Sequence, residues 1–176
     1  MGYRLIAIPC MVMVLLFSVS LTKEVSAMAA LQITSSAFTN NGNIPRQYTC
    51  DGKDINPPLM IAGTPQGTKS IALICDDPDA PVGIWVHWVL WNIDPGVKEI
   101  KEDTIPQGAV EGMNDFGRHR YGGPCPPSGT HRYFFKVYAL DTLLDISPDS
   151  QKVDLEKAMK GHILAQGQLV GMYKRG

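Results

Sequence analysis

Apolar residues along the chain fall into short runs with the two-residue period of β-strands, separated by turn residues. Leu31-Gln32-Ile33-Thr34-Ser35 alternates apolar and polar, which predicts a half-buried opening strand. Asn40-Asn41-Gly42-Asn43 reads as a turn, and Tyr48 to Pro58 reads as loop, punctuated by Asp51-Gly52 and Pro57-Pro58. Leu59-Met60-Ile61-Ala62 predicts a short strand, and Lys69 to Asp76 a longer one. Trp85 to Ile93 is apolar on both faces, which predicts a central strand ended by Asp94-Pro95-Gly96. Residues 97–128 are rich in Gly, Pro and charge and read as long loop, with a short strand over Thr104 to Val110. Arg132 to Asp141 alternates Tyr133, Phe135, Val137 and Ala139 against Phe134, Lys136, Tyr138 and Leu140, a further strand.

One segment has helical spacing. Leu155, Ala158, Met159, His162 and Ile163 share a face, and Asp154 can cap its start. Gly167 to Tyr173 then closes the chain as a strand. Many β segments, one late helix and turn-rich joins predict a mainly β fold. The expected form is an antiparallel β-sandwich with Greek-key connections, a C-terminal helix and peripheral short helices.

Residues 1–27 do not fit that pattern. Arg4 is followed by an uncharged apolar stretch from Leu5 to Leu21, and Val25-Ser26-Ala27 ends in small residues. This is the layout of a secretory signal peptide, with an apolar core short for a membrane span. The expectation is a single domain over residues 28–176, periplasmic or secreted and not integral to a membrane after cleavage. If Met28 is the true start, the protein is cytoplasmic. The whole chain has 16 basic and 17 acidic side chains. Losing Arg4, Lys23 and Glu24 leaves 14 and 16, a net charge of about −2. No basic patch is present, which argues against nucleic acid as a partner. Cys75 lies in an apolar run and reads as a buried small hydrophobe. Cys50 and Cys125 lie in turn-rich stretches. An oxidising compartment would let them pair, and the sequence leaves paired and free forms open. No CxxC is present.

Two polar knots interrupt the apolar runs. The first is Asp76-Asp77-Pro78-Asp79-Ala80-Pro81, followed by His87. The second is Gly122-Gly123-Pro124-Cys125-Pro126-Pro127, followed by Gly129-Thr130-His131-Arg132-Tyr133. Pro78 and Pro81 stiffen the first knot, so Asp77 and Asp79 can be aimed. His87 among Trp, Val and Leu is costly to bury unpaired, and Asp77 or Asp79 is the expected partner. His131 and the Tyr133 hydroxyl complete the inventory, and glycines at 122, 123 and 129 allow backbone N–H groups close approach to a ligand. Imidazoles, a phenol and open amides suit a small anion such as a phosphorylated head group. An isolated Asp-Pro-Asp is ordinarily a solvated turn; its position between two strands favours a site. Arg118, His119 and Arg120 read as a solvated loop, and His162 as a packed histidine. No cofactor motif is present, and no paired-ligand spacing supports a metal site among Asp77, Asp79, His87 and His131.

Taken in order and spacing, Asp77-Pro78-Asp79-Ala80-Pro81, the later His87 and Gly129-Thr130-His131-Arg132-Tyr133 resemble the two signature blocks of the phosphatidylethanolamine-binding protein family, in its bacterial Raf-kinase-inhibitor-like branch. Tyr48-Thr49-Cys50-Asp51-Gly52 and Gly122 to Pro127 resemble that branch's flanking loops. The resemblance runs from about Ile33 to Tyr173. It implies two antiparallel sheets with a small anion pocket at one end. The implied lining is Asp77, His87, His131 and Tyr133, with Asp79, Gly123 and Pro124 as neighbours. Family members bind phosphate, acetate, cacodylate or phosphoethanolamine-like groups, and some inhibit kinases or proteases. This chain is shorter than the mammalian members between Pro81 and His87 and lacks their extended helical C-terminus, so kinase inhibition transfers least. The expected function is non-enzymatic binding of a small anion or phosphorylated head group. The alternatives are an inhibitor acting on a protein partner through the pocket rim, and a hydrolase using an Asp–His pair. No Gly-x-Ser-x-Gly elbow accompanies the histidines. A homodimer is left open.

Overall fold

The structure is a computed structural model that describes Gly2 and residues 31–176. The leader expected over residues 1–27 and the alternative start at Met28 lie outside the described residues. The described chain forms strands β1 (Gln32–Thr34), β2 (Gly42–Asn43), β3 (Leu59–Ala62), β4 (Ser70–Asp77) and β5 (Trp85–Ile93). These are followed by β6 (Glu99–Ile100), β7 (Val110–Glu111), β8 (Thr130–Leu140), helix α1 (Lys152–Met159) and β9 (Ile163–Lys174). A 3-10 turn at Arg46–Tyr48 is the short peripheral helix.

The strands form two sheets, one ordered β1-β3-β6 and the other β2-β9-β8-β4-β5-β7. Pairing is antiparallel throughout except for the short β2–β9 contact, which is parallel. β4 pairs directly with β5, while β8 returns from a long excursion to take the other side of β4. That return gives the Greek-key-like order.

The two faces of the large sheet explain its apolar runs. One face packs on the small sheet through Ile33, Leu59, Ile61, Leu73, Trp88, Leu90, Phe135 and Val137. The other packs under α1 through Ile74, Val89, Trp91, Leu140, Leu155 and Met159. Each such side chain, taken fully out of water, contributes about 1.5–3 kcal/mol. β8 shows the expected alternation, with Tyr133, Phe135, Val137 and Ala139 at 0% exposure and Phe134, Lys136 and Tyr138 between them half-buried. β5 is buried on both faces and lies inside the sheet as expected, paired with β4 on one side and with the two-residue β7 on the other.

Three local expectations are corrected. Thr104 to Val110 forms no strand up to Val110 itself; Pro106 removes a donor and Gly108 turns at φ 81°, so pairing is confined to β6 and β7. The residue at the helix N-cap is Gln151 rather than Asp154, whose carboxylate instead accepts the Gln151 N–H at 3.0 Å in a capping box. The helix also stops at Met159, and Gly161 at φ 86° turns the chain. His162 and Ile163 therefore leave the helical face. His162 is exposed and pairs with Asp141 at 2.8 Å, so it is not a packed core histidine.

A buried ion cluster ties α1 to the sheet. Asp76 is 1% exposed and accepts from Lys136 Nζ at 2.7 and 2.8 Å and from Lys152 Nζ at 2.6 Å. This fixes the end of β4 at the first residue of the first polar knot.

Candidate functional site

The two knots meet at one end of the large sheet. The end of β4, the Ala80–Val82 loop, the start of β5, the 114–127 excursion and the start of β8 enclose a cavity of about 280 Å³. Asp77, His87 and His131 form its polar floor, and Trp85, Phe116, Pro81, Pro126 and Pro127 its apolar walls.

A β-bulge aims His87. Cys75 lies opposite Trp88 and Asp76 lies opposite Val86, so His87 is an extra residue in β5 with no partner across the ladder. Trp88 packs on the inter-sheet face while Val86 packs on the helix face, a reversal that simple alternation forbids. His87 joins the inter-sheet side, edge-on to Tyr133 at 5.1 Å and to Phe116 at 5.3 Å.

The floor is held by short hydrogen bonds within the protein. The Asp77 Oδ2 atom pairs with His131 Nδ1 at 2.7 Å, with both side chains under a tenth exposed. Asp77 Oδ1 accepts the Asp79 backbone N–H at 2.8 Å, so both carboxylate oxygens are engaged. His87 Nδ1 donates to the Gly122 carbonyl at 2.6 Å. Burial lowers the His87 pKa from its ordinary 6.5, against the opposing pull of the Gly122 carbonyl and the nearby Asp77 carboxylate. Each ring is thereby fixed through Nδ1, and Nε2 is the polar atom left for the cavity.

The carboxylate partner expected for His87 belongs to His131. His87 is buried beside a loop carbonyl because the bulge turns it toward Gly122 rather than along the strand toward Asp79. Asp79 is engaged elsewhere. It accepts from Arg132 Nε at 2.8 Å and Nη2 at 2.7 Å, and this guanidinium holds its pKa down at about 2.

Asp79, Gly123, Pro124 and Tyr133 do not line the cavity. Tyr133 is 0% exposed behind His87, and its hydroxyl has no hydrogen-bond partner among the described residues. Asp77 and the Cys125 backbone bear on its ionisation without meeting hydrogen-bond geometry, and burial is the main cause of its raised pKa. The expected presentation of glycine amides to a ligand is also corrected. Gly122 N donates to the His87 carbonyl at 2.9 Å and Gly123 N to Asp54 Oδ1 at 2.6 Å. These glycines serve close packing: a Cβ at Gly122 would lie 2.6 Å from the Phe116 ring, and one at Gly123 2.8 Å from the Thr49 Cα.

Cys50 and Cys125 are bonded to each other, with Cα atoms 5.4 Å apart. The bond fastens the 48–52 loop to the cavity wall at Cys125. Cys75 is free and buried. Arg118, His119 and Arg120 are exposed, as expected of a solvated loop.

Two contributors were not singled out in the sequence. Phe116 supplies a wall, edge-on to Trp85 at 5.4 Å. Asn114, 1% exposed, donates to the His87 and Arg120 carbonyls at 3.2 and 2.7 Å and accepts the Phe116 and Arg118 N–H groups at 3.0 Å. Its only sequence signal is an Asn-Asp-Phe-Gly turn, which says nothing of what the turn touches. Among the described residues, no group of three or more His, Cys, Asp or Glu side chains is arranged to hold a metal ion. No described helix is long and apolar enough to cross a membrane.

A family model described as phosphatidylethanolamine-binding protein matches residues 34–174. A UPF0098 protein of Methanothermobacter thermautotrophicus is 50% identical over 151 residues, covering 83% of this chain and all of that protein. A UPF0098 protein of Pyrococcus horikoshii is 53% identical over 150 residues, covering 80% of this chain and 75% of that one. Among solved structures, CT736 of Chlamydia trachomatis superposes with a TM-score of 0.81 at 40% identity, covering 84% of this chain and 99% of that one. YbcL of Escherichia coli, described as a member of the mammalian PEBP family, superposes with a TM-score of 0.79 at 32% identity, covering 84% of this chain and all of that one. Fold, length and sequence agree: this chain belongs to the phosphatidylethanolamine-binding protein family.

Proposed function

We propose that the protein is a non-enzymatic binder of a small oxyanion or phosphorylated head group, held over the His87–His131 floor of the cavity. The observation that carries this reading is the pair of buried imidazoles, each fixed through Nδ1 and each with Nε2 left for the cavity. Asp77 orients His131 and does not itself need to meet the ligand, since both its oxygens are engaged. The apolar walls exclude water and accept a short alkyl substituent. The family name adds phosphatidylethanolamine-like groups as the ligand class to test first.

Turnover is the weaker reading. The Asp77–His131 pair resembles an orienter and a base, but the cavity lining holds no Ser, Thr, Tyr or free Cys to act as nucleophile. The rim reading rests on Val82 and Ile84, which are 77% and 57% exposed beside the cavity mouth. Export to an oxidising compartment fits the Cys50–Cys125 bond together with the composition of residues 1–27.

The test is a calorimetric titration with phosphoethanolamine and inorganic phosphate, wild type beside His131→Ala. Binding by wild type and its loss in the variant are expected. Equal binding by both removes the ligand from this floor, and no binding by either overturns the reading.

A further inference from the structure

One wall of the cavity is held chiefly by a covalent bond. We infer that the Cys50–Cys125 disulfide is a redox latch on that wall. Formed, it keeps the wall in place for the anion; reduced by a dithiol, it frees the wall and weakens the hold on the anion. This rests on the anion-binding reading above and adds regulation to it.

The wall is Cys125, Pro126 and Pro127, at the end of the excursion loop. The two prolines have no backbone N–H to donate. Before them, the Pro124 carbonyl accepts the Cys50 N–H at 3.1 Å. After them, the ladder with β9 begins at Thr130, opposite Lys174. Among the described residues, no hydrogen bond ties residues 125–129 to the rest of the protein. Pro126 is buried, but residues 127–129 are exposed, and a Cβ at Gly129 would meet nothing within 4 Å. The other end of the disulfide is fixed. The Thr49 N–H donates to the Arg46 carbonyl at 3.1 Å and the Gly52 N–H to the Thr49 carbonyl at 2.9 Å, which closes the turn around Cys50. Asp51 accepts from the Tyr173 hydroxyl at 2.8 Å and from Arg175 Nε at 3.1 Å, which ties that turn to the end of β9. The bond therefore joins a fixed turn to a wall with little else to hold it. Breaking it touches no strand ladder, and the floor keeps its own bonds at Asp77–His131 and His87–Gly122.

The bond is also reachable from the cavity. Cys125 is exposed there, whereas Cys50 is half-buried and the free Cys75 is 1% exposed and takes no part. One thiolate of a dithiol attacks Cys125 Sγ, the S–S bond breaks, and Cys50 leaves as a thiolate that takes up a proton. The dithiol's second thiolate then closes on its own sulfur and releases Cys125. The protein gains two electrons and two protons, and the dithiol is oxidised to a cyclic disulfide. A freed wall has to be ordered again each time an anion binds, and that entropy is taken from the affinity. Linkage makes the coupling reciprocal: an anion bound more tightly by the oxidised form makes the disulfide harder to reduce by the same factor.

The experiment is calorimetric titration with inorganic phosphate of the oxidised protein, the dithiothreitol-reduced protein and the Cys50→Ser/Cys125→Ser variant, with circular dichroism to check each fold. The reduced protein and the variant are expected to stay folded and to bind at least about tenfold more weakly than the oxidised protein, the factor for reordering about one backbone residue. A second measurement reads the coupling from the other side. In mixtures of reduced and oxidised dithiothreitol at matched ionic strength, with thiols counted by alkylation and mass spectrometry, saturating phosphate is expected to lower the reduced-to-oxidised ratio of the protein by the same factor. Equal phosphate affinity in the oxidised and reduced forms, or a reduction equilibrium indifferent to phosphate, overturns the latch and leaves anion binding standing. A reduced protein that loses its fold makes the bond a staple of the whole domain and also overturns the latch. No binding by the oxidised protein overturns the anion-binding reading and this inference with it.

Discussion

Tyr133 offers a sharp test of how the floor is built. Its side chain is 0% exposed, and its hydroxyl finds no hydrogen-bond partner among the described residues. A buried hydroxyl without a partner costs about 1–3 kcal/mol relative to one that is paired or absent. Tyr133→Phe removes the hydroxyl and keeps the ring that packs edge-on to His87 at 5.1 Å. The ligand-free protein is therefore expected to gain up to about 1–3 kcal/mol, less the cost of the small void left behind. For a domain of this size each kcal/mol raises Tm by about 2–4 °C. Thermal unfolding and urea titration measure it, with an unchanged m-value as the check that only stability has moved. The hydroxyl does not reach the cavity surface, so phosphate affinity is expected to change less than about threefold by calorimetry. A fall in Tm would show that the hydroxyl has a partner in the protein and refute the reasoning. Loss of phosphate binding at unchanged stability would make Tyr133 a ligand-contacting residue and refute the second half of it.

Three further outcomes are expected. The Cys50–Cys125 bond spans 75 residues, and chain entropy gives such a loop about 4 kcal/mol of stabilisation. Urea unfolding of the Cys50→Ser/Cys125→Ser double variant should show a loss of that order, and a loss under about 1 kcal/mol would contradict a formed bond. Asp76→Asn removes the carboxylate shared by Lys136 and Lys152; because both lysines keep some exposure, the loss is expected near about 2 kcal/mol rather than the 3–5 kcal/mol of a sealed pair. Stability equal to wild type in a urea titration would count against the cluster. The pKa of His87 lies below its ordinary 6.5 in the folded protein, so the unfolded chain takes up that proton first as pH falls. Its contribution is present above pH 6.5 and is lost below it. Urea midpoints at pH 7.5 and 5 should therefore fall more in wild type than in His87→Gln, and parallel falls would dismiss His87 as the cause.

The strands were legible because burial imposes a period on them. β3, β4, β5 and β8 lie within a residue or two of where their apolar runs place them. The two knots were legible as a candidate site because prolines, carboxylates and histidines interrupt runs that otherwise bury both faces, and Asp77, His87 and His131 do meet at one cavity. The partners were not legible. Sequence alternation carries His87 outward from Trp85, and only the one-residue mismatch against β4 shows that it turns toward Gly122 instead. A bulge is a property of two strands, and one strand's pattern does not encode it. The same holds for Phe116 and Asn114, whose roles depend on a loop folding back on β5. Gly122 and Gly123 were correctly marked as special, but for an approach to a ligand, whereas they admit the Phe116 ring and the Thr49 backbone.

The same bonds serve the fold and prepare the site. Asp77 could not be buried at 3% exposure without partners, and His131 Nδ1 and the Asp79 amide are those partners. His87 could not be buried at 3% exposure without satisfying Nδ1, and Gly122 does so. Satisfying each group for stability also fixes each ring's rotation, so the edges that face the cavity are set before any ligand arrives. The excursion loop that supplies Gly122 is itself held by the Asn114 bond to the His87 carbonyl, by the Gly123–Asp54 bond and by Cys125 to Cys50, three anchors on three different residues outside the loop. A substitution at any anchor then acts on the ligand through the tilt of a ring it never touches. Affinity and stability should fall together for anchor residues such as Asn114 and Asp77, and separately for His87 Nε2, whose lone pair the fold does not use.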